Sequence, residues 1–167
     1  METGARVYGA SPSRLTMLAD LDHGQIGPAV PWPWVYVARN NQVRAGVLSE
    51  GVVREWRSAD GLTWEPAQEA ETEGCAGVWC PSVGHGASQV LALVACDQAA
   101  GQLLAWCRHG YDEPWQGPAV VAEVDGITPA YITEQPDGRW EVGWRAGGEW
   151  RYADAAWPTG TWEVRDA

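Results

Sequence analysis

The sequence predicts an all-β protein, a β-propeller-like array of about three full four-stranded blades preceded by a partial N-terminal blade. Residues 139–145 alternate polar and apolar side chains without a break, which is typical of a half-buried strand. Turn signals such as Asp60-Gly61 and Gly147-Gly148 recur at short intervals along the chain. Strand features, among them Trp56 and Trp106, return after about fifty residues, which is the length of a four-stranded propeller blade.

The same order of strands recurs three times along the chain. A first strand is followed by a tight turn and a second strand, and a third and a fourth strand complete each unit. The predicted strands are, at the first position, residues 34–37, 78–80 and 130–132; at the second, 42–45, 89–92 and 139–142; at the third, 53–57, 103–107 and 149–152; and at the fourth, stretches marked by Trp64, Trp115 and Trp162.

The first thirty residues resemble an incomplete copy of this unit. Residues 27–30 repeat the Gly-Pro-Ala-Val of residues 117–120, and strands are predicted at 6–10, 15–19 and 25–30. We therefore predict one domain over 1–167, with units at 1–30, 31–74, 75–125 and 126–167. An irregular β-sandwich, in which the hairpins resemble one another by accident, is the alternative.

A repeat unit cannot bury its apolar face alone, and an incomplete unit leaves a strand edge that has to be covered. Two arrangements meet this need. Either the chain closes as a small four-bladed ring, or its open ends pair with another copy or with a different protein. We favour the second arrangement, so the expected partners are other copies of the chain or other proteins of an assembly.

Composition and charge narrow the classes of function. The chain has 167 residues, 12 tryptophans and a formal net charge of -11. An acidic chain lacks the basic surface that phosphate backbones require, which argues against a nucleic-acid partner. No apolar run reaches the roughly 20 residues of a membrane helix, so membrane insertion is not expected. The start of the sequence does not resemble a secretory signal.

No cofactor or metal site is predicted. The four cysteines (Cys75, Cys80, Cys96 and Cys107) lack the paired spacing of a structural zinc site. Buried free thiols are favoured for them, and a disulfide that involves Cys75 or Cys80 is the alternative for an extracellular protein.

One short stretch carries a family resemblance. Residues 58–64 read Ser-Ala-Asp-Gly-Leu-Thr-Trp and fall between a third and a fourth strand. This resembles the Asp-box of sialidase-type and lectin-type β-propellers, although it is one residue shorter than the usual box. The resemblance implies a structural turn that usually lies away from the catalytic site. Its residues would be Ser58, Asp60, Gly61, Thr63 and Trp64.

The sequence contains the residue types of a sialidase-like site, but their spacing along the chain does not group them into one site. Such chemistry uses arginines, a tyrosine paired with a glutamate, and an acid. Because nothing in the sequence brings these residues together, we predict that the chain is not an enzyme. The residues considered were Arg44, Arg54, Arg145, Tyr36, Tyr131, Glu55 and Glu141.

The tryptophans divide into two predicted groups. Those at alternating strand positions are expected in the core, and those beside prolines or turns are candidate aromatic anchors for a protein or a sugar. The predicted core residues are Trp56, Trp106, Trp140, Trp144 and Trp150. The candidate anchors are Trp32, Trp34, Trp115 and Trp157.

These observations lead to a prediction of function. We predict a non-catalytic interaction module of an extracellular particle, such as the tail, fibre or capsid-decoration protein of a phage virion. A carbohydrate-binding propeller lectin is the first alternative, and a sialidase-like glycoside hydrolase is the second.

Overall fold

The computed structural model is an all-β protein of antiparallel sheets. It describes residues 5–11, 14–21, 34–37, 41–49, 51–72, 74–83, 90–126 and 130–165, and it describes side chains at 41–46, 51–72, 74–75, 90–126 and 130–165. Within these described ranges, fourteen strands form one two-stranded and three four-stranded sheets in chain order. Three full four-stranded units and one partial unit were predicted, so the predicted fold class is confirmed and the irregular sandwich is wrong.

The first sheet is a hairpin of β1 (Ala5–Ser11) and β2 (Arg14–Leu21). Both strands were predicted, and each is longer than its prediction by one or two residues at either end. The third strand predicted for this unit, residues 25–30, lies outside the described residues.

The second sheet consists of β3 (Trp34–Val37), β4 (Val43–Ser49), β5 (Val52–Ser58) and β6 (Glu65–Glu71). The third sheet consists of β7 (Cys75–Val83), β8 (Val90–Asp97), β9 (Gln102–His109) and β10 (Gln116–Glu123). The fourth sheet consists of β11 (Ala130–Glu134), β12 (Trp140–Ala146), β13 (Glu149–Ala155) and β14 (Glu163–Arg165). Each pairs its strands in sequence order.

The turns follow the local chemistry of the sequence. Gly147 and Gly148 form the two-residue connection between β12 and β13, and their φ angles are 60° and 90°. Two successive positive φ angles match the right-handed twist of a hairpin, and glycine adopts them without steric cost. This connection was predicted from the Gly-Gly pair.

The fourth strands begin later than predicted. Trp64, Trp115 and Trp162 each come directly before the first residue of β6, β10 and β14. The tryptophan is therefore the last residue of the connection from the third strand and not a member of the fourth strand. The repeat spacing alone could not separate these two positions, because a shift of one residue leaves the spacing unchanged.

The third sheet lies between the second and the fourth, and the alternation along β8 shows how. Val90, Ala92, Val94 and Cys96 pack towards the fourth sheet, while Leu93 and Ala95 pack towards the second. All seven residues from Val90 to Cys96 are fully buried. A strand that is apolar on both faces, as the sequence shows for β8, is the pattern of a strand inside a stack of sheets.

Four of the five tryptophans predicted for the core are buried: Trp56, Trp106, Trp140 and Trp144. The prediction for Trp150 is wrong, because 42% of its surface is exposed. Trp150 lies near the start of β13, on the face of the fourth sheet that does not pack on the third. Alternation places every second residue of a strand on one face, but it does not tell which face is covered.

Cys75, Cys96 and Cys107 are buried free thiols. Burial is the largest cause that raises the pKa of Cys75 to about 12, and burial also raises the pKa of Cys107. The side chain of Cys80 lies outside the described residues.

Within the described ranges there is no helix that could span a membrane. Among those same residues there is also no group of three or more His, Cys, Asp or Glu side chains placed to hold a metal ion.

Candidate functional site

The Asp60 turn connects β5 to β6, as the sequence predicted, and its hydrogen bonds are local. Asp60 Oδ1 accepts hydrogen bonds from the backbone amides of Leu62 at 2.8 Å and Thr63 at 2.7 Å. The amide of Gly61 donates to Ser58 Oγ at 2.8 Å, and Gly61 has a φ of +74°. Leu62 is 78% exposed at the tip. These contacts stay within the turn, which is the behaviour of a structural element.

The hydrogen bonds to the Asp60 carboxylate give a testable pH dependence. The amide of Thr63 is the largest cause that lowers the pKa of Asp60 from 3.8 to about 2, followed by the amide of Leu62. A lowered pKa means that the carboxylate stabilises the turn fully above pH 3.8 and that this contribution is lost as the pH falls through about 2.

We therefore expect the Asp60 carboxyl signal to titrate near pH 2 in NMR spectra, and the Asp60→Ala variant to exchange its Leu62 and Thr63 amides faster than the wild type. Asp137→Ala is the matched control, because Asp137 Oδ1 accepts only the amide of Arg139 among the described bonds of its own turn. A titration near the ordinary value, or equal exchange in both variants, would contradict the role assigned to Asp60.

The predicted aromatic anchors have different surroundings. Trp32 lies outside the described residues, and Trp34 begins β3 with its side chain outside them. Trp115 is not an exposed platform: it packs against two apolar clusters, beneath the guanidinium of Arg108. Trp157 is half-buried and stacks on His109, with ring centroids 4.9 Å apart.

A group of polar side chains lies on one face of the fourth sheet. There, Val142 and Ala153 point to the third sheet, and their neighbours in the strands point away from it. We call this second side the polar face and define it by Tyr131, Glu141, Asp154 and Arg165. Glu141 and Asp154 are directly opposite each other in the pairing of β12 with β13.

A continuous line of hydrogen bonds crosses the polar face from β11 to β14. The Tyr131 hydroxyl donates to Glu141 Oε1 at 2.7 Å. Arg165 donates through Nη2 to Glu141 Oε2, and its Nε lies 2.9 Å from Asp154 Oδ2. One guanidinium therefore holds two carboxylates side by side, and the carboxylates expose 16% and 20% of their side-chain surface. Both oxygens of Glu141 have a donor in the line.

Gly143 makes room for this line. A Cβ atom on Gly143 would lie 2.4 Å from Tyr131 Cε1, a separation that real Cβ atoms do not show. The ring of Tyr131 therefore crosses β12 directly over Gly143, its partner in the strand pairing, and its hydroxyl reaches Glu141 two residues away. Burial, followed by the Glu141 carboxylate, raises the pKa of Tyr131 above its usual range, so the phenol is a donor at neutral pH.

An open cleft and an exposed indole lie at the two ends of the polar face. The cleft has a volume of about 400 Å³ and is reached by Glu141, Asp154 and Arg165. Its other walls are Gln135, Pro136, Asp137 and Arg139, from the connection between β11 and β12. Towards the opposite end, the ring of Trp150 is 5.8 Å from that of Tyr131, and the Arg145 guanidinium lies 5.9 Å from Trp150.

The sequence alone does not show that the residues of the polar face lie together. Tyr131, Glu141 and Arg145 were considered as residue types, whereas Asp154 and Arg165 were not. The signal that joins them is the register of β11 to β14, which pairs Glu141 with Asp154 and Tyr152 with Arg165. A sequence read strand by strand does not contain that register.

The fold and this face define an all-β protein of the propeller type with a polar, aromatic-flanked surface. Comparison with solved structures agrees on the fold. The chain is similar to the GH93 α-L-arabinofuranosidase of Fusarium graminearum in complex with arabinobiose, with 14% identity and a TM-score of 0.58 over 96% of this chain and 58% of that one.

It is also similar to the α-L-arabinofuranosidase of the same fungus in complex with an iminosugar inhibitor, with 15% identity, a TM-score of 0.51 and coverage of 90% and 54%. The chain thus spans a little over half the length of these enzymes. No protein-family profile matches it, and no curated protein sequence does either.

These neighbours correct two predictions. We predicted a non-catalytic assembly module of a virion and no enzyme, but the two similar solved structures described above are α-L-arabinofuranosidases, which are glycoside hydrolases. Spacing along the chain does not show whether these residue types lie together in the folded protein. In a sheet they are joined across strands, as the polar face shows for Tyr131, Glu141, Asp154 and Arg165.

Proposed function

We propose that the protein acts on carbohydrate, as a glycoside-processing propeller segment that binds its glycan on the polar face of the fourth sheet. The observation that carries this proposal is the line of Tyr131, Glu141, Arg165 and Asp154 between an exposed indole and an open cleft. Carboxylates accept hydrogen bonds from sugar hydroxyls, and a guanidinium donates hydrogen bonds to the oxygens of such hydroxyls.

Trp150 supports the proposal through its position. An exposed indole presents an apolar ring, which suits the apolar faces of a sugar, while neighbouring polar groups fix the hydroxyls. Trp150 is 42% exposed and lies beside Tyr131, which in turn bonds Glu141. A sugar ring stacked on Trp150 would extend over Tyr131 towards the two carboxylates.

Glu141 and Asp154 are the described pair suited to bond cleavage. Glycoside hydrolysis generally uses two carboxyl groups that flank the bond, one protonated and one ionised. These two lie opposite each other on neighbouring strands, where paired Cβ atoms are about 5 Å apart. Arg165 bonds both and is 48% exposed on the short strand β14, so a substrate that displaces it would free one carboxyl group to be protonated.

The direct experiment measures binding and hydrolysis with the purified protein. Arabinobiose and longer arabino-oligosaccharides are titrated calorimetrically, and release of nitrophenol is followed from 4-nitrophenyl α-L-arabinofuranoside. The arabinose series is chosen because the neighbouring enzymes act on it. We expect Trp150→Ala to weaken glycan binding about tenfold, and Glu141→Gln to lower the rate of hydrolysis by about 10²-fold or more.

Glu149→Gln is the matched control, since Glu149 lies on the same sheet with 74% of its side chain exposed and contacts Arg151 instead of the polar face. It should leave both measurements unchanged. Absence of binding to any arabinoside, or an equal loss in the control, would refute this placement of the glycan.

A further inference from the structure

A buried group of charges joins the second and third sheets. Arg44 of β4, Glu55 of β5 and Arg108 of β9 have side chains with no exposed surface. Arg108 Nη2 lies 2.5 Å from Glu55 Oε2, and Arg44 Nη1 lies 3.9 Å from the same oxygen. Two guanidinium groups therefore share one buried carboxylate.

A second carboxylate compensates only the outer guanidinium. Asp112 Oδ1 lies 3.0 Å from Arg44 Nη2 and 2.9 Å from Arg57 Nη1, and the Asp112 side chain is 62% exposed. Arg44 also donates through Nη1 to the backbone oxygen of Tyr111 at 2.8 Å. For Arg108, in contrast, the one described ion pair is that with Glu55.

The buried side-chain polar atoms without a partner are all of one kind. In the part of the chain whose side chains are described, every such atom is an N–H donor and none is an acceptor. Arg108 contributes two of them, Nε and Nη1, and Trp115 contributes Nε1. These three are neighbours, because the guanidinium carbon of Arg108 lies 4.4 Å above the Trp115 ring. The remaining two are Arg44 Nε and Trp64 Nε1.

A buried group that contains only hydrogen-bond donors favours a ligand that can only accept hydrogen bonds. A buried donor without an acceptor costs about 1–3 kcal/mol. A water molecule would accept from these donors, but it would bring two O–H groups that need acceptors of their own. A single-atom anion brings lone pairs alone and no donor of its own. The set of donors therefore favours an anion over water.

We propose that Arg108 and Trp115 form a buried binding site for a halide ion, chloride under ordinary conditions, at the junction of the second and third sheets. The ion accepts hydrogen bonds from Arg108 and from the indole N–H of Trp115. The Arg108 guanidinium also pairs with Glu55 of the second sheet, so the bound ion holds it at the contact between those sheets. This site is separate from the polar face and does not depend on the proposed action on carbohydrate.

Thermal unfolding in chloride, bromide and gluconate at constant ionic strength tests the site. A ligand that binds only the folded state multiplies the folding equilibrium constant by one plus its concentration divided by its Kd. We expect the unfolding temperature to rise with chloride or bromide, and above the Kd to rise with the logarithm of the halide concentration, while gluconate has no such effect. Crystals grown in bromide should show one anomalous peak beside the Arg108 guanidinium.

Trp115→Phe separates the donor from the packing, because phenylalanine keeps an aromatic ring beneath Arg108 and removes the N–H. We expect this variant to bind halide about tenfold more weakly, the loss of one charge-assisted hydrogen bond. Trp144→Phe is the control, since Trp144 is equally a buried indole but belongs to the fourth sheet; its halide dependence should match the wild type.

Unfolding temperatures that are the same in halide and gluconate, together with no anomalous peak, would show that the site binds no halide and would overturn the proposal. The same holds for a halide response that Trp115→Phe leaves unchanged. If Trp115→Phe does not fold, the bromide peak in the wild-type protein decides the question alone.

Discussion

Replacing Glu55 by glutamine should lower the free energy of unfolding by about 3–5 kcal/mol. The substitution keeps the shape of the side chain and removes its charge, so Arg44 and Arg108 lose the buried carboxylate that lies between them. Two guanidinium groups would then face each other in a region without solvent, and breaking one member of a buried ion pair is among the costliest single changes in a protein.

Urea unfolding followed by tryptophan fluorescence measures this loss. Glu65→Gln is the matched control, because Glu65 also contacts an arginine, Arg57 at 3.5 Å, but is 67% exposed. Exposed pairs contribute about 0–1 kcal/mol, so the control should unfold close to the wild type. Equal losses in both variants would mean that burial of the Glu55 pair does not matter. Chloride should restore part of the Glu55→Gln loss if the halide site is present.

Replacing Gly143 by alanine should lower the free energy of unfolding by about 1–3 kcal/mol. The added methyl group would lie 2.4 Å from Tyr131 Cε1 and 2.6 Å from Tyr131 Cζ, so the ring has to move away from β12. Its hydroxyl then leaves Glu141, and one oxygen of that carboxylate loses its donor. The variant should therefore also weaken glycan binding.

A double-mutant cycle with Tyr131→Ala isolates this effect. Removing the ring removes the clash, so Gly143→Ala in the Tyr131→Ala background should cost much less than in the wild type. The difference between the two costs is the coupling between positions 131 and 143. Equal costs in both backgrounds would show that the loss comes from the backbone of β12 and not from the tyrosine.

The fold could be predicted from the sequence because the geometry of strands and of four-stranded units also determines the pattern of apolar residues. Alternation follows from the pleat of a strand, and the repeat spacing follows from the size of a four-stranded unit. Both features are local or periodic. Where the prediction was wrong, as for Trp150, the missing information was which face of the fourth sheet has a neighbouring sheet.

The candidate site was harder to predict for the same reason. Glu141, Asp154 and Arg165 lie on three strands and meet only through the register between them. That register depends on the connection at Gly147 and Gly148 and on the burial of Val142 and Ala153. The prediction that the chain is not an enzyme rested on distances along the chain, which do not measure distances across a sheet.

The buried thiols have a consequence for chemical labelling. Cys96 and Cys107 have no exposed surface, and Cys75 has a pKa of about 12. The thiolate is the form that reacts with a thiol reagent, so burial protects all three sulfurs and a raised pKa additionally keeps Cys75 and Cys107 protonated. They become reactive when the third sheet opens. The rate at which an alkylating reagent modifies them in the native protein therefore reports how often the interior of the molecule opens.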